Sequence, residues 1–287
     1  MNNFEIKCKV PSGKKIYVKE LNNKTYIALH KFIMNDDLEG FYRTLDNHIL
    51  SSYEEAYELS ILDKLFIYLS IYAYSIKAQI ELSARTIDRF GQQEVYSIFD
   101  VLDEIQNIKI KNINETFETK QGLAIIEIGL PTQFEEIDNE FTFNPLSAIK
   151  KVNLNSQNYI LRTPEDFKVL NLIFTPENYY KLTNLIIQNF NFNIPLIKDR
   201  VELPILSNIT YKFIAESLYY NDLDYILTTV YSLLKHLNLA PSEYYQLTPA
   251  DSEILLLKLI KDKKEEQKEA ANQQENNSYG QQLPYNF

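Results

Sequence analysis

Apolar residues recur along most of this chain at three- and four-residue intervals, the repeat of a helix with one buried face. Tyr26, Ile27, Leu29, Phe32 and Ile33 mark a first helix capped by Asn22 or Asn23, and Asn35-Asp36-Asp37 opens a second with Leu38, Phe41, Tyr42 and Leu45. Ser51 or Ser52 is expected to cap a long third helix, with Glu54 and Glu55 in its first turn and Leu59, Leu62, Leu65, Phe66, Leu69, Tyr72 and Ala73 on its apolar face. Period-two patterning appears elsewhere. Phe4–Val10 and Ile16–Val18 flank the turn Pro11-Ser12-Gly13, while Gln79–Leu82, Ile108–Ile113 and Leu123–Leu130 read as strands of a small mid-chain sheet that stops at Pro131.

The second half is helical, with its starts written in Thr-Pro pairs. Thr163-Pro164, Thr175-Pro176 and Thr248-Pro249 each place a capping hydroxyl before a proline at the first helical position. Another apolar face runs through Leu223, Ile226, Leu227, Val230, Leu233, Leu234 and Leu237 and ends at Asn238–Pro241. The acidic stretch 132–140 is either a domain boundary or a surface loop. After Ile260 the apolar face is lost, and residues 270–287 have too little apolar content to offset chain ordering. They are expected to be disordered, either as an inert tail or with Leu283–Phe287 as a hook for a partner. The resulting fold class is α+β and predominantly α-helical. It has a small N-terminal strand pair, a mid-chain β-sheet, a helical C-terminal half and a disordered C-terminal tail. The expected divisions are 1–131, 132–262 and 263–287.

Composition narrows the function classes. At 287 residues and 45% hydrophobic content, the chain can bury the core of one large domain or two smaller ones. A net charge of -10 opposes binding to a phosphate polyanion, because such affinity comes from lysine and arginine displacing counterions. Cys8 is the single cysteine, so neither an internal disulfide nor a multi-thiolate zinc site can form. The start, Met1-Asn2-Asn3-Phe4-Glu5, lacks the basic-then-apolar order of a signal peptide, and no run approaches the roughly 18 apolar residues of a membrane span.

Candidate chemistries fail on spacing. His30, His48 and His236 include no i,i+4 pair, and Cys8 reads as a small strand hydrophobe. The carboxylate pairs Glu54/Glu55, Glu135/Glu136 and Glu265/Glu266 are adjacent and point apart, as on solvated faces. Pro11–Lys14 lacks the upstream glycine and the following Ser or Thr of a phosphate loop. No catalytic, metal or cofactor-binding residue is therefore assigned. The aromatic doublets Tyr179-Tyr180, Tyr219-Tyr220 and Tyr244-Tyr245 cannot all face a core. With Tyr285 and Phe287, they are the candidate partner-binding residues.

The order of these features resembles the baseplate-hub and hub-assembly proteins of T-even-like contractile-tailed phages. The resemblance lies in the strand pair around Pro11-Ser12-Gly13, the helix with Leu21, Tyr26, Leu29 and Phe32, the aromatic helix Leu62–Leu69, the passage Tyr74–Leu82 into strands ending at Leu130-Pro131, and the closing stretch Tyr244–Glu253. Residues 84–120 depart from the pattern. The resemblance implies a non-enzymatic protein that binds other phage tail or baseplate proteins, without nucleic acid or membrane, in the host cytoplasm during assembly or in the virion baseplate. A transient chaperone for a tape-measure or hub protein is the alternative. An unrecognised small enzyme or host-directed adaptor stands as a different class.

Overall fold

A computed structural model describes residues 4–82, 94–119, 121–137, 140–161, 166–196 and 203–279. Helices predominate over short antiparallel strands, giving an α+β fold. The chain divides into two compact units, one of residues 1–21 and 27–220, the other of residues 22–26 and 221–287. This differs from the expected break near 131 because strands on both sides of Pro131 share one sheet.

The first unit opens with β1 (Glu5–Lys9) and β2 (Lys15–Lys19), paired in register from Glu5↔Lys19 to Lys9↔Lys15. Alternation sends Ile6, Cys8, Ile16 and Val18 inward, so Cys8 is the core residue its strand position suggested. Gly13 takes a φ of +85° in the connecting turn, a conformation that an L side chain rarely adopts. Helix α1 spans Asn23–Met34, and α2 spans Leu38–Leu50 with the Asp37 carboxylate accepting from Gly40 N.

The expected third helix is corrected here. Ser51 and Ser52 do not cap it: residues Glu54–Glu58 form a short 3-10 turn, and α3 (Ile61–Ser75) starts one turn later under Ser60. Ser60 Oγ accepts from Asp63 N at 3.2 Å and donates to Asp63 at 3.0 Å, while the other Asp63 oxygen accepts from Ser12 N at 2.9 Å. Local capping inside an apolar run thus overrode the Glu54-Glu55 signal. Almost every α3 side chain is buried, which makes it the central helix of this unit.

Strands β3 (Gln79–Leu82) and β4 (Glu94–Ser97) pair before α4 (Ile98–Gln106). Next come β5 (Ile113–Thr119), β6 (Gly122–Ile128), β7 (Phe134–Ile137), β8 (Glu140–Phe143), β9 (Ile149–Leu154) and β10 (Gln157–Ile160). Four of these form an antiparallel sheet in the order β10-β9-β6-β5, and β7-β8 is a separate pair. Residues 108–112 are not a strand, although their alternation suggested one; pairing begins only at Ile113, opposite Ile128. Phe117, Ala124, Ile126, Val152 and Leu154 face the sheet's buried side.

Helices α5 (Leu170–Ile173), α6 (Pro176–Phe190) and α7 (Asn208–Ile214) follow, and a π-helical turn at Ala215–Tyr219 closes the first unit. Thr175 accepts from Asn178 N, as its Thr-Pro position predicted. Thr163 lies outside the described residues.

The second unit holds α8 (Leu223–His236), α9 (Pro241–Tyr244) and α10 (Pro249–Tyr279). Thr248 and Asp251 cap α10 reciprocally, each side chain accepting from the other's backbone N–H. Residues 22–26 belong to this unit because Asn23 is built into it: its backbone N donates to Leu247 O, and its side-chain amide donates to Tyr244 O and Ser252 Oγ. Asn22 is the cap of α1, accepting from Thr25 N at 2.9 Å. Helix α10 continues to Tyr279, so residues 270–279 are helical rather than disordered.

Candidate functional site

In the first unit, helix α2 projects Tyr42 and Asp46, and α3 projects Ile61, Lys64 and Tyr68. With Phe134 of β7, Phe141 of β8 and Tyr211 of α7, these residues line a cavity of about 340 Å³. Asp46 is the polar centre. Its carboxylate accepts from Lys64 Nζ at 2.7 Å and from the Tyr68 hydroxyl, while the Tyr42 hydroxyl donates to Tyr211 O at 2.8 Å. Lys64 is 8% exposed and Asp46 32%, so the pair joins a buried ammonium to a carboxylate that water still reaches.

Aromatic rings make the walls. Tyr211 lies 4.2 Å from Phe134 and 5.2 Å from Tyr42, and Phe141 stacks on Phe134 at 5.2 Å. Burial raises the phenols of Tyr42 and Tyr68 well above their ordinary range, with the Asp46 charge adding to the effect at Tyr68. Tyr211 is raised in the same way, first by burial and then by Asp46. All three remain neutral hydrogen-bonding groups at physiological pH. Around the mouth, Arg43 faces Glu39 at 3.7 Å, and Leu50 and Tyr57 are exposed.

A different surface occupies the second unit. Ile226, Thr229 and Leu233 of α8 turn inward, leaving Leu223, Leu227 and Tyr231 exposed at i, i+4 and i+8. On α10, Ile254, Leu257 and Ile260 are exposed at i, i+3 and i+6. Each helix therefore carries two apolar faces, of which one is used within the unit. Leu227, expected in the core face, is 56% exposed. An apolar stripe wider than a single buried face concealed which residues point out.

The aromatic doublets are separated by the fold. Tyr179 and Tyr180 on α6 are both exposed, Tyr180 at 71%. Tyr219 and Tyr244 are corrected from surface candidates to core residues. Tyr219 donates its hydroxyl to Tyr68 O at 2.7 Å, and burial lifts the Tyr244 phenol to about 12. Their neighbours Tyr220 and Tyr245 are exposed, Tyr220 lying 5.0 Å from the buried His30 ring and Tyr245 5.8 Å from Tyr244. Adjacent helical positions point about 100° apart, which puts one ring of the Tyr219-Tyr220 and Tyr244-Tyr245 doublets inside and leaves both rings of Tyr179-Tyr180 on the surface. Tyr285 and Phe287 lie outside the described residues.

The Asp46 cluster escaped sequence reasoning because its members come from five elements. One signal was present: Lys64 interrupts the apolar face of α3 at a position where only a paired charge can be buried. His48 approaches Lys19 O at 2.8 Å, and its ring is held below the ordinary histidine range mainly by burial. Among the described residues, no group of three histidine, cysteine or carboxylate side chains could hold a metal, and no helix is long and apolar enough to cross a membrane. No family model, curated protein or solved structure matches the chain.

Proposed function

We propose that this chain is a non-enzymatic phage tail protein that acts in baseplate-hub assembly or structure by binding other tail proteins. The observation that carries this reading is the pair of exposed apolar stripes on α8 and α10, Leu223-Leu227-Tyr231 and Ile254-Leu257-Ile260. Apolar rows at helical spacing are the form in which a helix face meets a protein groove or another helix. The acidic balance of -10 opposes nucleic acid as the alternative partner. The family resemblance in residues 4–82 and 244–253 supplies the biological setting, a contractile tail.

Co-expression of the full chain with tail proteins of the same genome, followed by affinity purification, tests the reading. Recovery of a hub or tape-measure component is expected; recovery of none, or turnover of a substrate by the chain alone, would overturn it. Protein identification in purified particles then separates a structural hub subunit, which persists there, from a transient chaperone, which does not.

A further inference from the structure

The cavity between α2, α3, β7, β8 and α7 is unexplained by its own packing. Tyr211 is only 2% exposed, and its hydroxyl has no hydrogen-bond partner among the described residues. A buried phenol left in that condition forfeits a hydrogen bond that water would have supplied. Asp46 lines the same cavity, and each of its oxygens accepts one protein hydrogen bond, leaving lone pairs for another donor. Tyr211 lines this cavity together with Asp46.

The charges on the lining cancel. Glu39 is paired with Arg43 and Asp46 with Lys64, so the site offers neither an anion nor a cation an uncompensated counter-charge. A charged ligand would lose its hydration there without replacement. A neutral ring is favoured by the walls of Tyr42, Phe134, Phe141 and Tyr211. The volume of about 340 Å³ is at the small end of the roughly 300–1,000 Å³ of ligand pockets, room for one large side chain. A hydroxyl on that ring could donate to Asp46 while accepting from Tyr211, satisfying both open positions at once.

We propose that this cavity receives a tyrosine side chain of a partner protein, with the phenol between Asp46 and Tyr211. The assignment rests on the reading of the chain as a protein-binding assembly factor, and the mouth fits it. Exposed Leu50 and Tyr57 beside polar Glu39, Arg43 and Gln133 give the apolar centre and polar rim of an anchor pocket.

The test uses the full chain and three probes: N-acetyl-tyrosinamide, N-acetyl-phenylalaninamide and p-cresol, followed by methyl NMR of Leu50 and Ile61. The tyrosine probe is expected to shift these methyls saturably and to bind about tenfold more tightly than the phenylalanine probe, the worth of one to two hydrogen bonds. Tyr211→Phe removes an unpartnered hydroxyl, so it should fold and melt no lower than the wild type, and it should bring the two probes to within about twofold. Equal binding of both probes, no binding of the tyrosine probe, or a preference that survives Tyr211→Phe would overturn the proposal. Binding of p-cresol with exclusion of N-acetyl-tyrosinamide would overturn the assignment to a protein side chain in favour of a free phenol. These outcomes are distinct from failure of the assembly reading, which shows as loss of co-purification with tail proteins whatever the cavity binds.

Discussion

Replacing Asp46 with asparagine should destabilise the first unit more than replacing its partner Lys64 with methionine. The Lys64 side chain is 8% exposed and its ammonium meets the Asp46 carboxylate at 2.7 Å. Removing one member of a fully buried pair costs about 3–5 kcal/mol because the other charge is left uncompensated. Asp46 is about a third exposed, and the asparagine carbonyl can still accept one of the two hydrogen bonds, so about 2–3 kcal/mol is expected. In Lys64→Met the aliphatic stem stays packed, and the remaining carboxylate keeps the Tyr68 hydroxyl and access to water. That variant should lie within about 1 kcal/mol of wild type. Urea unfolding at neutral pH, read from midpoints at constant slope, measures both. Combining the substitutions should recover much of the loss, since the stranded ammonium is gone. An Asp46→Asn change below about 0.5 kcal/mol, or a larger loss from Lys64→Met, would refute the reasoning.

Further outcomes follow from burial and charge. Leu233→Ala should cost about 2–5 kcal/mol, because Leu233 is fully buried on α8, whereas Leu227→Ala should change stability by less than about 0.5 kcal/mol. Urea melts of the two variants check the assignment of faces. Lys150, whose Nζ donates to Leu130 O at 2.8 Å, is held down at about 8 by burial, against the raising influence of Asp63 and Glu127. Between that value and its ordinary 10.5 the unfolded chain binds more protons, so stability should rise with pH across the window. From pH 7.5 to 9.5 the rise attributable to Lys150 should be about 2 kcal/mol and absent in Lys150→Met, checked by urea midpoints at each pH.

Much of the local structure was legible because short-range rules decide it. Thr175 and Thr248 cap the helices their Thr-Pro pairs announced, and Gly13 sits in the turn that its neighbours required. Long-range competition hid the rest. The acids Glu54 and Glu55 resemble a first helical turn, but Ser60 and Asp63 form the better cap and are also tied to Ser12, far away in sequence. Helix α8 has apolar residues around more than half its circumference, so periodicity could not separate Leu233, which is buried, from Leu227, which is not. The Asp46 cavity draws on residues from Glu39 to Tyr211, and only Lys64, a charge beside Asp63 in an otherwise apolar helix, pointed to it.

Under the proposed function, the outward stripes of α8 and α10 bind a phage tail protein. Leu227→Asp combined with Leu257→Asp places charge on both stripes without touching the buried face, since both residues are more than half exposed. Affinity purification of the wild-type and doubly substituted chains, each co-expressed with the tail proteins of the same genome, tests the claim most directly. The wild type is expected to retain a tail component, and the variant, with an unchanged melting temperature, to lose it. Equal retention by both chains, or no tail protein retained by either, would contradict it.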